Sequence, residues 1–166
     1  PFFFRVRNVY RPGVVYKLNQ YRPQLISNRG IEHMINSFSR IDDAIAYAYQ
    51  KNGHSFYVLT FPTANKTLVY DASIQDPDMA WSVRETYNIG RDRSTCHAFA
   101  FNNHLVGDYA SGKIYELDEN THTDGGLPIV WSRTSAHIVS DYKRIRHIEV
   151  VLNFQTGVGL EDGIEP

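Results

Sequence analysis

Apolar residues, aromatics prominent among them, fall inside short alternating runs along the chain. Ile148, Val150, Leu152 and Phe154 alternate with Glu149, Val151 and Asn153, the period of two that a half-buried strand shows. The run from Phe56 to Phe61 is apolar at odd and even positions alike, which predicts a strand covered on both faces. Polar alternation at Ser82, Arg84 and Thr86 predicts an outer strand. Pro62 to Lys66 and Ser111-Gly112 supply turn residues between successive runs, because proline presets φ and glycine admits conformations closed to other residues.

These runs repeat. Ala46-Tyr47-Ala48-Tyr49 returns as Ala98-Phe99-Ala100-Phe101. His54 opens the run Phe56-Tyr57-Val58-Leu59, and His104 opens Leu105-Val106. Leu68-Val69-Tyr70-Asp71 has its counterpart in Tyr115-Glu116-Leu117-Asp118, and Trp81-Ser82 in Trp131-Ser132. A period of roughly 50 residues holding several short strands is the sequence signature of propeller blades. A single blade cannot bury both of its faces, so neighbours must stack on it. Alanine alternating with aromatics gives an inner strand the taper that radial packing requires.

The reading is therefore all-β: a partial β-propeller of about three antiparallel blades. A partial first blade spans residues 1–38, a second 39–90 and a third 91–140, with a further blade beginning at 141–166. The segment from Ser39 through Asp42, Asp43 and Ala44 to Lys51 and Gly53 also composes a helix, with an N-cap, acids in the first turn and a terminal glycine. Its match to Ala98–Phe101 assigns it to strand.

Composition narrows the function. The hydrophobic fraction of 42% and charged fraction of 21% are those of a globular protein, and aromatics at 13% fall inside the alternating runs. No apolar stretch reaches the roughly 20 residues that span a bilayer as a helix. The formal net charge is -1 and no run of Lys or Arg stands out, whereas gripping a DNA backbone requires several basic side chains. A role with DNA would then be that of a wall or plug. One cysteine, Cys96, excludes an internal disulfide and a multi-cysteine zinc site. The chain opens on Pro1 inside an apolar run, without a signal-peptide pattern, as a fragment of a longer protein would.

With the blades laid out, the sequence resembles the packaged-DNA stabilisation proteins of short-tailed bacteriophages. The resemblance rests on Ile31-Glu32, Ile41-Asp42-Asp43-Ala44 and, most specifically, the run from Gly53 to Pro62. It continues through Lys66-Thr67, Tyr70-Asp71, Leu105-Val106-Gly107-Asp108, Ser111-Gly112-Lys113-Ile114-Tyr115 and Thr156-Gly157-Val158-Gly159. It implies a propeller-like tail-hub body of the virion, from a phage or prophage and assembled in the host cytoplasm. Several copies would dock beneath the portal and adaptor ring, hold a tail needle and retain packaged DNA. It carries no catalytic residues to transfer, and with the composition the expectation is no cofactor, no metal, no membrane and no strong direct DNA binding.

Several motifs invite chemistry. Gly107 to Lys113 has the spacing of a phosphate-binding loop as far as its lysine. Ile114 follows where a Ser or Thr should hold Mg²⁺, and a strand follows where a helix is needed, so a hairpin turn is the reading. Cys96-His97 could pair as nucleophile and base, but neighbours on a strand point to opposite faces, and a buried thiol beside a structural histidine is expected. His33, His54, His104, His122, His137 and His147 form no metalloprotease helical pair; His54 and His104 are expected at equivalent blade positions. Asp118, Glu119 and Asp124 with Gly125-Gly126 make the densest acidic loop, without the spacing of a calcium loop. Asp42-Asp43 and Arg91-Asp92-Arg93 are the groups a propeller glycosidase would recruit. A carbohydrate-binding or glycosidase propeller is accordingly the alternative, since the fold hosts many functions.

Overall fold

The computed structural model describes residues 2–5, 13–118, 120–121, 123–124, 126–129 and 132. The sequence positions read above as the start of a further blade, together with Trp131, Glu119, His122, His137, His147 and Thr156–Gly159, lie outside them.

The chain builds antiparallel sheets in sequence order. Strands β1 (Phe2–Arg5), β2 (Val14–Asn19) and β3 (Arg22–Leu25) form the first sheet, followed by helix α1 (Arg29–Asn36). The second sheet is a four-stranded meander of β4 (Ile45–Lys51), β5 (His54–Phe61), β6 (Lys66–Asp71) and β7 (Trp81–Arg84), in that spatial order. The third contains β8 (Ser94–Ala100), β9 (Asn103–Asp108) and β10 (Ile114–Glu116), and a small hairpin of β11 (Thr123–Asp124) and β12 (Leu127–Pro128) follows.

The central sheet is sandwiched, as the doubly apolar run requires. On one face Tyr57, Leu59, Phe61, Leu68 and Tyr70 pack with Val15 and Ile26 of the first unit and with Ile31 and Ile35 of α1. On the other, Tyr49, Val58 and Val69 pack with Tyr47, Phe56 and Leu117. Burying a Leu or Phe of this kind contributes about 1.5–3 kcal/mol each. Strands β4 and β8, the first of their sheets, lie side by side, so the sheets converge on that edge as blades do. Strand β7 forms the opposite edge and exposes Ser82 and Val83.

The segment after Ser39 is strand from Ile45 onward. Its helical wording is overridden by the ladder to β5, in which Tyr49 faces Phe56 and Tyr47 faces Val58. Asp43 caps no helix: its carboxylate accepts the Thr63 backbone N–H at 2.8 Å. The helix that does form, α1, lies outside the all-β reading. Asn28 caps it by accepting from the Ile31 N–H at 2.9 Å.

The repeat holds for strand order and fails residue by residue. Hairpin β4–β5 turns at Asn52-Gly53 and hairpin β8–β9 at Phe101-Asn102. Counting back from the turns, Ala98 matches Tyr49 rather than Ala46, and Phe101 lies in the turn instead of the strand. His54 is the first residue of β5 while His104 is the second of β9, so they are not equivalent. A β-bulge between Ser94 and Cys96 separates the registers further.

Candidate functional site

Three hairpins, β2–β3, β4–β5 and β8–β9, turn through pairs of left-handed residues. The φ values are 45° and 67° at Gln20-Tyr21, 51° and 79° at Asn52-Gly53, and 54° and 65° at Phe101-Asn102. Asn-Gly is the favoured pair for such a turn. Tyrosine and phenylalanine are not, and a left-handed bulky residue costs of order 1–3 kcal/mol. Both are also almost wholly exposed, Tyr21 at 95% and Phe101 at 92%.

A cleft of about 730 Å³ lies just behind these tips. It wraps the end of the β4–β5 hairpin. Lys17, Ala48, Gln50, Ser55 and Ala72 line one side, and Tyr49, Phe56, His97, Phe99 and His104 the other. Rings stack along the second side: Tyr49 on Phe56 at 5.0 Å and Tyr49 on His97 at 5.2 Å. His97 and His104 meet across the strands, Nε2 to Nδ1, at 3.0 Å. Burial, with the neighbouring His104, pushes the His97 imidazole below its ordinary value.

Beneath the cleft runs a polar seam joining the central and third sheets. The Tyr47 hydroxyl bonds Ser94 Oγ at 2.6 Å, and Ser94 donates from both its N–H and its hydroxyl to Asp92 Oδ1. Asp92 Oδ2 lies 3.6 Å from Arg84 Nε, and Arg84 donates to the Tyr49 hydroxyl at 3.2 Å. Burial pushes the Tyr47 phenol up to about 12. For Arg84, burial opposes the charge, but Tyr49 and Asp92 outweigh it and raise its pKa. Each polar group in this partly buried chain has a partner, the condition under which such a network fixes one arrangement.

The motifs singled out by sequence resolve separately. Gly107 to Lys113 is the β9–β10 hairpin, closed by Asp108 N–H to the Lys113 carbonyl at 2.9 Å. Asp108 accepts the Ala110 N–H at 2.9 Å and the Ser111 hydroxyl at 2.5 Å, so a carboxylate occupies the turn where a phosphate loop would present free donors. Gly107 lies across from Cys96, where an added Cβ would stand 2.9 Å from the sulfur.

Cys96 and His97 do point to opposite faces, but Cys96 is exposed, against the expected buried thiol. His97 and Phe99 are on the face turned to the central sheet, which leaves Cys96 on the other. His54 bonds Asp71 at 2.6 Å rather than repeating the contact of His104.

Asp42 pairs with Arg40, and Asp43 serves Thr63. Arg91 stacks 3.7 Å over Tyr109, and Arg93 pairs with Asp124 at 3.3 Å. Asp118 closes its own turn by accepting from Asn120 and Thr121. The structure thus spreads these charges over separate local contacts, with Asp92 held in the seam. It brings together instead His97, His104, Phe99 and Tyr49, which the sequence reading did not group; their shared face depends on strand register.

Antiparallel sheets following one another along the chain, the central one packed through both faces, are the arrangement of propeller blades. The chain belongs to the family described as bacteriophage P22 Gp10, beta-propeller, whose model matches residues 2–122. That membership makes it a phage structural protein of the DNA-stabilisation kind. No curated protein matches the chain.

Proposed function

We propose that the protein serves in the tail hub, where several copies close the channel beneath the portal and adaptor ring and retain DNA by occlusion. The observation that carries this reading is charge. The net charge is -1 with no cluster of Lys or Arg, so the chain has little with which to neutralise phosphates. Affinity is spent on neighbouring tail proteins and the needle. The exposed aromatics at the hairpin tips, Tyr21 and Phe101, suit that purpose, since aromatic anchors dominate protein interfaces. A scaffold role without catalysis is supported by the carboxylates of Asp43, Asp92, Asp108 and Asp118, each of which holds a turn or a seam.

The test is a DNA titration at low and moderate salt beside a pull-down with adaptor and needle proteins. Adaptor or needle capture with weak DNA binding is the expected result. Tight, salt-sensitive DNA binding without capture would overturn occlusion.

A further inference from the structure

We propose that His97 and His104 form a binding site for a divalent transition-metal ion, which takes the place of the hydrogen bond between the two rings. The residues sit on facing strands, on the same face of the third sheet, because Phe99 lies opposite His104 and His97 lies opposite Val106. Their nitrogens are 3.0 Å apart and their ring centroids 5.2 Å. Imidazole nitrogens bind such ions at about 2.0–2.1 Å. Two nitrogens 3.0 Å apart would then subtend an angle of about 95° at the metal, from those bond lengths. That is close to the right angle of square-planar or tetragonal Cu²⁺ and Ni²⁺ sites, and narrower than the tetrahedral angle of Zn²⁺.

The change from hydrogen bond to chelate is small. Each ring turns so that both lone pairs meet at the ion. The proton now on the bridging nitrogen moves to the outer nitrogen of the same ring, so both ligands stay neutral and none is released. Access is open, since both residues line the cleft behind the hairpin tips. Only an unprotonated imidazole binds metal, so binding should strengthen as pH rises. Among the described residues no third histidine, cysteine or carboxylate stands with the pair, so water fills the remaining positions.

The test is calorimetric titration of the whole chain with CuCl₂, NiCl₂ and ZnCl₂ in a non-chelating buffer. One ion per chain is expected, in the order Cu²⁺, Ni²⁺, Zn²⁺ of falling affinity. The variants His97→Gln and His104→Gln keep a polar group in each place but each remove one of the two imidazole ligands, so each should weaken Ni²⁺ by more than about tenfold, the least that losing an outer partner of a ligand costs. His54→Gln should leave binding unchanged. Electron paramagnetic resonance of the Cu²⁺ form should show two coordinated imidazole nitrogens. Binding that survives both substitutions, equal loss in His54→Gln, a single coordinated nitrogen, or no binding at all would each overturn the proposal.

Discussion

The indole N–H of Trp81 donates to the backbone carbonyl of Ile26 at 2.9 Å, tying the outer strand of the central sheet to the segment that leads into α1. The two residues are 55 positions apart, and the same indole packs 5.1 Å from Tyr70. One side chain thus joins the last strand of one blade to the unit before it.

Replacing Trp81 with Phe should keep the contact with Tyr70 and remove the donor. The Ile26 carbonyl would lose its partner, at a cost of about 1–3 kcal/mol. Urea unfolding of Trp81→Phe beside Val83→Ala checks this: Val83 lies on the same strand but is exposed, and its loss should shift stability by no more than about 0.5 kcal/mol.

Gly90 should tolerate no side chain. Its φ is +87°, and an added Cβ would stand 2.4 Å from Asn65 Nδ2. That amide itself donates to the Ile89 carbonyl at 2.6 Å. Gly90→Ala therefore combines backbone strain with a broken turn contact and should lose about 1–3 kcal/mol. Gly112, with φ +65° and open space around it, is the control, and Gly112→Asn should change stability by about 0.5 kcal/mol or less. Equal losses at the two sites would refute the role given to Asn65.

Alkaline pH should destabilise the fold through its buried phenols. Burial pushes both Tyr47 and Tyr57 up to about 12, from an ordinary value of 10.0. A raised folded value means the native state holds its protons longer than the unfolded chain. The associated stability is present below the ordinary value and is lost as pH rises above it. Melting temperature should fall above pH 10.0, together with a late rise in phenolate absorbance. Tyr57→Phe should make that fall less steep, and an unchanged slope would show that Tyr57 is not the group responsible.

The helix at residues 29–36 and the strand at 45–51 show how far local wording can be trusted. Ser39 to Gly53 reads as a capped helix, yet tertiary pairing with β5 makes it strand, because two apolar faces need a full sheet between neighbours. Residues 29–36 offer only Asn28 as a cap and Ile31 and Ile35 as an inward stripe. Eight residues are too few for that spacing to stand out. The cap, with Glu32 in the first turn, was the available signal.

Alternation, turn residues and the period of the repeat are local properties, and they determined the strands, the hairpin at Gly107–Lys113 and the propeller class. Register is not local. It depends on turn position and on the bulge between Ser94 and Cys96, which no periodicity records. A shift of one residue sends a side chain to the other face. Only the tertiary structure therefore decided that Ala98 answers Tyr49, that Cys96 faces outward, and that His97 and His104, seven positions apart, meet nitrogen to nitrogen beside the cleft.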